Sequence, residues 1–332
     1  MSRHFLAVSV TTLLLFSVFV SVAAASIPDW TGETLPRGVS ERRVAVDGLQ
    51  TRLLEAGPRR KREAVVYLSG FPGSSLDYVD LERTSGEFMR SVAFDFPGFG
   101  EASKPAGRNY SAANQARFID AMLNRLGIRR AHLVMHDFGG FYGLEWASQN
   151  LSRVESVVLI DAGVLKGYTG HEFALLSAAP VVGEAYNGIQ TRESFGQGLN
   201  DRNPKPLPSS FIDRMYEDYD GGARQTAPAI YRGIGQEIFT IADRQAAALA
   251  GNRLPALVIW GREDPYIPAR FAARQREVFP RARVHVLPAV GHFPFIDEVV
   301  RVRRLVRPFL RKAQQRPVSR SRNRAEPSGG QP

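Results

Sequence analysis

The segment LVMHDFGG, residues 133–140, decides the fold of this chain. Its first three residues are apolar and typical of a strand buried inside a sheet. The polar pair His136-Asp137 comes next, and two glycines after Phe138 can open a helix. Gly139 permits a close strand-to-helix turn that places the Asp137 carboxylate at the helix N-terminus, where peptide dipoles favour the charged form. The segment therefore predicts a nucleophile elbow at Asp137, although an isolated pattern of this kind is more often a plain helix cap.

Short apolar runs separated by helical patterns extend from this segment in both directions. The order predicts an α/β fold, a mostly parallel twisted sheet flanked by helices. Strands are predicted at residues 43–46, 49–55, 64–68, 91–96, 132–136, 154–160, 254–260 and 283–287. Helices are predicted at residues 111–126, 139–149 and 294–310.

The alternation stops between residues 163 and 251, where helical stretches at 211–219 and 227–239 replace the strands. We expect a helical lid at 163–251, inserted into a core formed by residues 26–162 and 252–310. Insertions at the carboxyl ends of parallel strands lie where such sheets bind ligands, so the lid should cover a pocket.

The N-terminus carries Arg3, an apolar run at 5–22 and three alanines at 23–25. This pattern predicts a signal peptide over residues 1–25, and an uncleaved N-terminal anchor remains the alternative. Either outcome makes the protein exported: secreted, periplasmic or in the cell envelope. The 332 residues include no cysteine, which excludes disulfides and a thiol nucleophile.

The C-terminal segment 311–332 is predicted to be a disordered basic tail that carries half of the formal net charge of +10. A basic tail can contact nucleic acid or anionic lipid, but solvated tails are commoner. We therefore expect no specific nucleic-acid partner, and membrane association only through the N-terminus.

Three further segments supply the other parts of a reaction centre. The loop SGFPGSS at 69–75 can aim the Phe71 amide, with that of Phe138, at an oxyanion. Asp264 follows a predicted buried strand and can orient an imidazole, with Asp161 as the fallback acid. His292 lies 28 residues beyond Asp264 and can act as the general base.

Together these motifs resemble the α/β-hydrolase family, and within it the epoxide hydrolase and haloalkane dehalogenase branch, over residues 43–310. That branch typically shows a His-Gly-x-Pro loop, a Gly-His-Asp-Trp-Gly elbow, an Asp-x-Pro-Gly-x-Gly loop and a late Gly-His. DFPGFG at 95–100 fits the third motif fully, and the elbow fits at His136-Asp137. The resemblance implies an alkyl-enzyme ester on Asp137, hydrolysed by water that His292 activates. It implies a small apolar organic substrate and no metal or cofactor.

Departures from the branch pattern bear on the leaving group. Ser69 replaces the usual His, Met135 replaces a small residue, and Phe138 replaces the common Trp. Dehalogenases of this branch hold halide with that indole and often with an Asn at the position of Phe71. The tryptophans of this chain all lie outside the predicted lid: Trp30, Trp146 and Trp260.

The segment AIYR at 229–232 resembles the lid motif of epoxide hydrolases and makes Tyr231 the candidate acid. Four tyrosines are open as its partner: Tyr168, Tyr186, Tyr216 and Tyr219. A structural role is expected for the remaining histidines, His132, His136, His171 and His285. The expected function is epoxide hydrolysis. The alternatives are dehalogenation or another hydrolase reaction on this scaffold, and a non-catalytic, membrane-tethered ligand-binding protein.

Overall fold

A single eight-stranded sheet organises the chain in a computed structural model that describes residues 34–316. The spatial order is β1-β2-β4-β3-β5-β6-β7-β8, in which β1 and β2 pair antiparallel and the strands from β4 to β8 are parallel. The strands are β1 (Val39–Val46), β2 (Leu49–Ala56), β3 (Glu63–Leu68), β4 (Arg90–Phe94), β5 (Arg130–His136), β6 (Val154–Ile160), β7 (Ala256–Gly261) and β8 (Ala282–Leu287). The predicted mostly parallel sheet is confirmed.

Twelve α-helices flank or extend the sheet within residues 34–316. Those before β6 are α1 (Val79–Gly86), α2 (Ala112–Arg125) and α3 (Phe138–Gln149). Those between β6 and β7, here called the insertion, are α4 (Glu172–Ala178), α5 (Val182–Gly188), α6 (Arg192–Asn200), α7 (Ser209–Asp218), α8 (Arg224–Gly235) and α9 (Ile241–Ala248). Those after β7 are α10 (Arg270–Val278), α11 (Pro294–Asp297) and α12 (Val299–Gln314).

Both faces of the central strands are buried, which explains their continuous apolar sequences. On β3, Val66 and Leu68 pack into a cluster with α2 and α3, whereas Val65 and Tyr67 pack into a second cluster with α1 and α12. Successive side chains of a strand point to opposite faces, so each strand contributes to two cores. The sheet is therefore rigid where its carboxyl ends carry the loops described below.

The C-terminal helix differs from its prediction. Glu298 leaves the helical region, with φ −139° and ψ 52°, and separates α11 from α12. Helix α12 then continues to Gln314, beyond the predicted end at residue 310, because Ala313 is still buried against the core. The proposed signal at 1–25 lies outside the described residues, and so does the part of the predicted disordered tail 311–332 that follows residue 316. Residues 311–314 of that predicted tail belong to α12 instead. Between residues 34 and 316, no helix combines the length and hydropathy needed to cross a bilayer.

Candidate active site

Asp137 lies in the tight turn between β5 and α3, with φ 48° and ψ −120°. Glycine permits this turn, since a Cβ on Gly139 would lie 2.0 Å from the Leu68 carbonyl oxygen. Met135, which is large for its position in an elbow, fits because α3 carries Gly143. A Cβ there would lie 2.5 Å from the Met135 sulfur. The backbone strain at Asp137 is thus held by close packing of β3, β5 and α3.

The two oxygens of the Asp137 carboxylate have different surroundings. Oδ1 accepts a hydrogen bond from the Phe71 amide at 3.1 Å, and the carboxylate also accepts one from the Phe138 amide. Oδ2 lies 3.6 Å from His292 Nε2. Burial raises the pKa of Asp137, but His292 and the Phe138 amide outweigh burial, so the pKa lies below its ordinary value. Asp137 is therefore ionised at neutral pH, with one oxygen held and the other facing the imidazole.

Asp264, after β7, orients His292. Its Oδ2 lies 2.9 Å from His292 Nδ1, and its Oδ1 accepts the amides of Tyr266 at 2.8 Å and Ile267 at 3.0 Å. Burial lowers the pKa of His292, but Asp264 and Asp137 together raise it to about 10. In the resting protein His292 is therefore an imidazolium between two carboxylates. The structure thus brings together Asp137, Asp264 and His292.

Asp161, the fallback acid, directly follows β6 and lies close to Asp264, but it is not bonded to the imidazole. Its Oδ1 accepts the Gly261 amide at 2.9 Å, and its backbone has φ 42°. Burial and the neighbouring Asp264 carboxylate raise the pKa of Asp161 well above its ordinary value. A neutral carboxyl can hold the ends of β6 and β7 together, but it cannot supply the negative charge that stabilises an imidazolium.

A cavity of about 120 Å³ opens over Asp137 and His292. The insertion supplies most of its wall, and no Lys or Arg of the described chain lines it. The lining residues are Phe71, Pro72, Asp137, His171, Phe173, Ser177, Tyr186, Asn187, Gln190, Ser194, Phe195, Gly198, Leu199, Tyr219, Tyr231, Tyr266, His292 and Phe293. Its wall is therefore rich in Phe and Tyr rings, with a few polar side chains, and is uncharged except at the Asp137–His292 pair.

Comparison with known proteins establishes the family. The family model described as alpha/beta hydrolase fold matches residues 63–299, which is most of the chain. The chain belongs to the α/β-hydrolase family. The human mesoderm-specific transcript homolog protein is 30% identical over 254 residues, covering 71% of this chain and 75% of that protein. A haloalkane dehalogenase of Agrobacterium fabrum (strain C58 / ATCC 33970) is 36% identical over 114 residues, covering 34% of this chain and 36% of that protein.

Two solved structures share the fold of this α/β-hydrolase. A haloalkane dehalogenase from Agrobacterium tumefaciens C58 superposes with a TM-score of 0.72 at 22% identity, covering 86% of this chain and 99% of that one. The epoxide hydrolase CorEH superposes with a TM-score of 0.70 at 17% identity, covering 82% and 99%. The resemblance to a family with epoxide hydrolase and dehalogenase members, predicted from the motifs, is confirmed.

Tyr231 of the hydrolase, on α8, lines the cavity beside both amides that hold Asp137. Its ring centroid lies 5.7 Å from that of Phe71 and 5.3 Å from that of Phe138. Burial, and then the Asp137 charge, raise the pKa of Tyr231 well above its ordinary value. The phenol therefore keeps its proton near a charged carboxylate.

The four candidate partner tyrosines divide into two pairs. Tyr186 and Tyr219 line the cavity, whereas Tyr168 and Tyr216 do not. The Tyr219 hydroxyl already donates to Asn187, whose side-chain oxygen lies at 2.9 Å and whose backbone carbonyl oxygen lies at 3.0 Å. Among the four, Tyr186 is therefore the phenol best placed to meet a ligand.

The structure also brings His171 to the cavity, a residue for which the sequence favoured a purely structural role. Its ring lies 6.3 Å from that of Tyr231 and 4.9 Å from that of Tyr266. His171 Nδ1 accepts the Ala174 amide at 3.3 Å as the cap of α4, so the neutral ring carries its proton on Nε2. Burial lowers the pKa of His171 to about 4, which keeps the ring neutral.

Tyr266 was also missed by sequence reasoning, although it stands only two residues after Asp264. Its ring packs against His292 with a centroid distance of 4.9 Å, and it lines the cavity. Its position two residues after Asp264 is the sequence feature that could have identified it.

Indole donors within the described chain are engaged elsewhere. Trp146 Nε1 donates to Asp120 at 3.1 Å, and Trp260 Nε1 donates to the Ile267 carbonyl at 2.8 Å. The Phe138 ring packs among aromatic rings and offers no N–H. Residues 34–316 also contain no group of three or more His, Asp or Glu side chains arranged to hold a metal ion.

Proposed function

We propose that this α/β-hydrolase opens epoxides of small, neutral organic molecules through an ester on Asp137. The observation that carries the proposal is one cavity lined by Asp137, His292, the Tyr231 phenol and the His171 imidazole, with Asp264 bonded to His292. Ring opening needs both a nucleophile and a hydrogen-bond donor for the departing oxygen. This cavity offers both.

In the first half-reaction, Asp137 Oδ2 attacks an epoxide carbon, and the carbon–oxygen bond of the ring breaks. Oδ1 is the oxygen held by the Phe71 amide, so we assign the attack to Oδ2, which faces His292 Nε2 at 3.6 Å. Tyr231 gives its proton to the ring oxygen, which becomes a hydroxyl, and the resulting phenolate regains a proton from solvent. The His171 Nε2–H is a second donor for the same oxygen.

In the second half-reaction, His292 activates water against the ester. Esterification removes the Asp137 charge, one of the two that raise the pKa of His292, so the imidazolium can release its proton. The neutral ring then takes a proton from water, and hydroxide adds to the ester carbon. The oxyanion forms on Oδ1, where the Phe71 and Phe138 amides stabilise it by about 3–4 kcal/mol per donor. Collapse expels the diol oxygen, which takes the proton from His292.

The cavity wall supports a neutral substrate. With no Lys or Arg in the described lining, a substrate carboxylate would lie near the ionised Asp137 without a partner. Burying such a charge unpaired is costly. Phe and Tyr rings on the wall offer apolar contact instead.

Dehalogenation is the second candidate, favoured by the 36% identity with a haloalkane dehalogenase over 114 residues. The same carboxylate could displace halide from an alkyl carbon. No indole N–H of residues 34–316 stands beside Asp137, so the described cavity gives a departing halide less support than it gives an alkoxide.

The test is intact-mass spectrometry of a His292→Gln variant, which we expect to form the ester but not to hydrolyse it. An epoxide adds its whole mass to the protein, whereas an alkyl halide adds its mass less that of the hydrogen halide. The control is the double variant Asp137→Ala/His292→Gln, which should gain no mass. An epoxide-sized adduct on Asp137 supports the first function, and an adduct formed only with halides supports the second.

If His292→Gln gains no mass from any substrate that the wild type consumes, the carboxylate-nucleophile mechanism is wrong. If the wild type consumes nothing from either panel, a non-catalytic ligand-binding role takes its place. We also propose export through residues 1–25, as cleaved signal or retained anchor. The intact mass of protein made in an exporting host distinguishes the two.

A further inference from the structure

Helix α7 of the insertion reaches the oxyanion loop, residues 69–75, through a buried arginine. Arg214 Nη1 donates to Ser74 Oγ at 3.0 Å and to Asp218 Oδ2 at 3.2 Å, while Nη2 donates to Asp77 Oδ1. The Arg214 and Asp77 side chains are each 2% exposed. One guanidinium therefore joins the insertion to the end of this loop and to the 3₁₀ turn that follows it, Ser75–Tyr78.

Two carboxylates hold the backbone of the same loop. Asp77 accepts the Ser74 amide, and Asp95 accepts the Ser75 amide at 2.7 Å. Arg52 contacts Asp95 at 3.1 Å and also Asp218 of α7 at 3.2 Å. The loop end is thus fixed by a buried network that includes two residues of the insertion.

The buried Asp77 carboxylate depends on the Arg214 charge to remain ionised. Burial raises the pKa of Asp77 to about 6, even though the Arg214 charge lowers it. Without the guanidinium, the carboxylate would lose its main counter-charge. The carboxylate also packs closely against the loop, since a Cβ on Gly73 would lie 2.1 Å from Asp77 Oδ2.

We propose that Arg214 is a positioning residue for the oxyanion hole: by holding Ser74 and Asp77 it fixes the loop that aims the Phe71 amide at Asp137. The hole is then complete only while α7 is docked on the core. This inference rests on the proposed function for its kinetic consequence, but not for its structural one.

The kinetic consequence follows from the charge on Asp137 in each step. During alkylation the carboxylate loses charge, so an amide that binds its Oδ1 gives the transition state no advantage. During ester hydrolysis an oxyanion develops on Oδ1, and the same amide then stabilises the transition state. Displacing the Phe71 amide should therefore slow hydrolysis and spare alkylation.

The experiment compares Arg214→Lys and Ser74→Ala with the wild type. Lysine keeps the charge but cannot reach three partners in fork geometry, and alanine removes only the hydroxyl acceptor. Loop order is measured by hydrogen exchange of the peptide covering residues 69–78. Alkylation and ester hydrolysis rates are measured separately by quenched single-turnover mass spectrometry with an epoxide.

The expected result is faster exchange in that peptide for both variants. Ester hydrolysis should slow about tenfold in Arg214→Lys, less than the roughly 10²–10³-fold loss when a donor is removed outright. Alkylation should stay within about twofold. Ester hydrolysis should stay near the wild-type rate in Ser74→Thr, which keeps a hydroxyl. That result would support a role for the hydrogen bond between Arg214 and residue 74.

The matched control is Arg244→Met, because Arg244 of α9 also pairs with the core, at Glu145, without touching the loop. Neither readout should change in that variant. Unchanged exchange in folded Arg214→Lys and Ser74→Ala, or equal slowing of both steps, would overturn the proposal. If the peptide loosens as expected but His292→Gln forms no ester, the positioning role stands and the proposed function fails.

Discussion

The two walls of the cavity differ in how their polar groups are held. On the core wall, Asp264 accepts two amides and bonds His292, and Asp137 Oδ1 accepts the Phe71 amide. On the insertion wall, no hydrogen bond within residues 34–316 engages the Tyr231 hydroxyl. The core wall is already arranged for chemistry, whereas the insertion wall keeps a donor available for a ligand. On the proposed mechanism, the core supplies the nucleophile and the base, and the insertion supplies the donor for the leaving group.

On the core wall, the largest loss of activity is expected for Asp264→Asn. Asparagine keeps an oxygen for the Tyr266 and Ile267 amides but removes the charge that stabilises the imidazolium. We expect turnover to fall by about 10⁴-fold while the fold survives. Steady-state kinetics measure the loss, with circular dichroism as the check on folding. If Asp264→Asn kept near-normal turnover while Asp161→Asn was inactive, Asp161 rather than Asp264 would be the acid that orients His292.

On the insertion wall, the corresponding change is Tyr231→Phe. An alkoxide is a poor leaving group, and positioned general acids contribute about 10²–10⁴-fold, so epoxide alkylation should slow on that scale. Alkyl halides, whose anion leaves without a proton, should react with Asp137 no more slowly than before. Single-turnover mass spectrometry measures both reactions.

The matched control for that change is Tyr219→Phe, because the Tyr219 hydroxyl is already bonded to Asn187. It should leave alkylation within a few-fold of wild type. If Tyr231→Phe opened epoxides at the wild-type rate, Tyr231 would leave the mechanism. Halide release by the same variant would then favour the dehalogenase function.

The free energy of unfolding should also respond differently to an added methyl group in the core and in the insertion. In the core, Gly139→Ala places a Cβ 2.0 Å from the Leu68 oxygen and should destabilise the fold by about 3 kcal/mol. On the insertion, a methyl group added at Gly198 in α6 would meet no atom within 4 Å, so Gly198→Ala should stabilise by about 0.5–1 kcal/mol. Urea unfolding measures both. Equal effects would contradict the contrast between the crowded turn at Gly139 and the open helix surface at Gly198.

The last prediction concerns the pH dependence of stability. The pKa of His292 is raised from 6.5 to about 10 in the folded state, so its ion pairs stabilise fully below pH 6.5 and lose that contribution as pH rises through 10. The melting temperature of wild type minus that of His292→Gln should therefore shrink between pH 7 and 10. We expect the difference to fall by several degrees, because each pKa unit is worth about 1.4 kcal/mol and about 1 kcal/mol shifts the melting temperature of a domain of this size by roughly 2–4 °C. A constant difference would mean that the imidazole is not paired.

The core wall could be predicted from the sequence because its groups stand at strand ends. A parallel sheet brings such positions together whatever the intervening residues do, which places Asp137 and Asp264 at one edge. The insertion wall could not be predicted in the same way. Whether His171 or Tyr219 meets the cavity depends on helix packing and on caps such as His171 Nδ1, which no short motif encodes. The link from Arg214 to the oxyanion loop likewise has no sequence signal, since Ser74 and Asp77 lie more than 130 residues away.

The contact between Met135 and Gly143 constrains the order in which this chain can change. A methyl group at position 143 would lie 2.5 Å from the Met135 sulfur, so Gly143→Ala alone should be harmful. After Met135→Ala the contact with the sulfur is gone and Leu68 Cδ1, at 2.7 Å, is the remaining close neighbour, so the cost should fall. The two sites are therefore epistatic. Among relatives of this protein, large residues at 135 and at 143 should exclude each other.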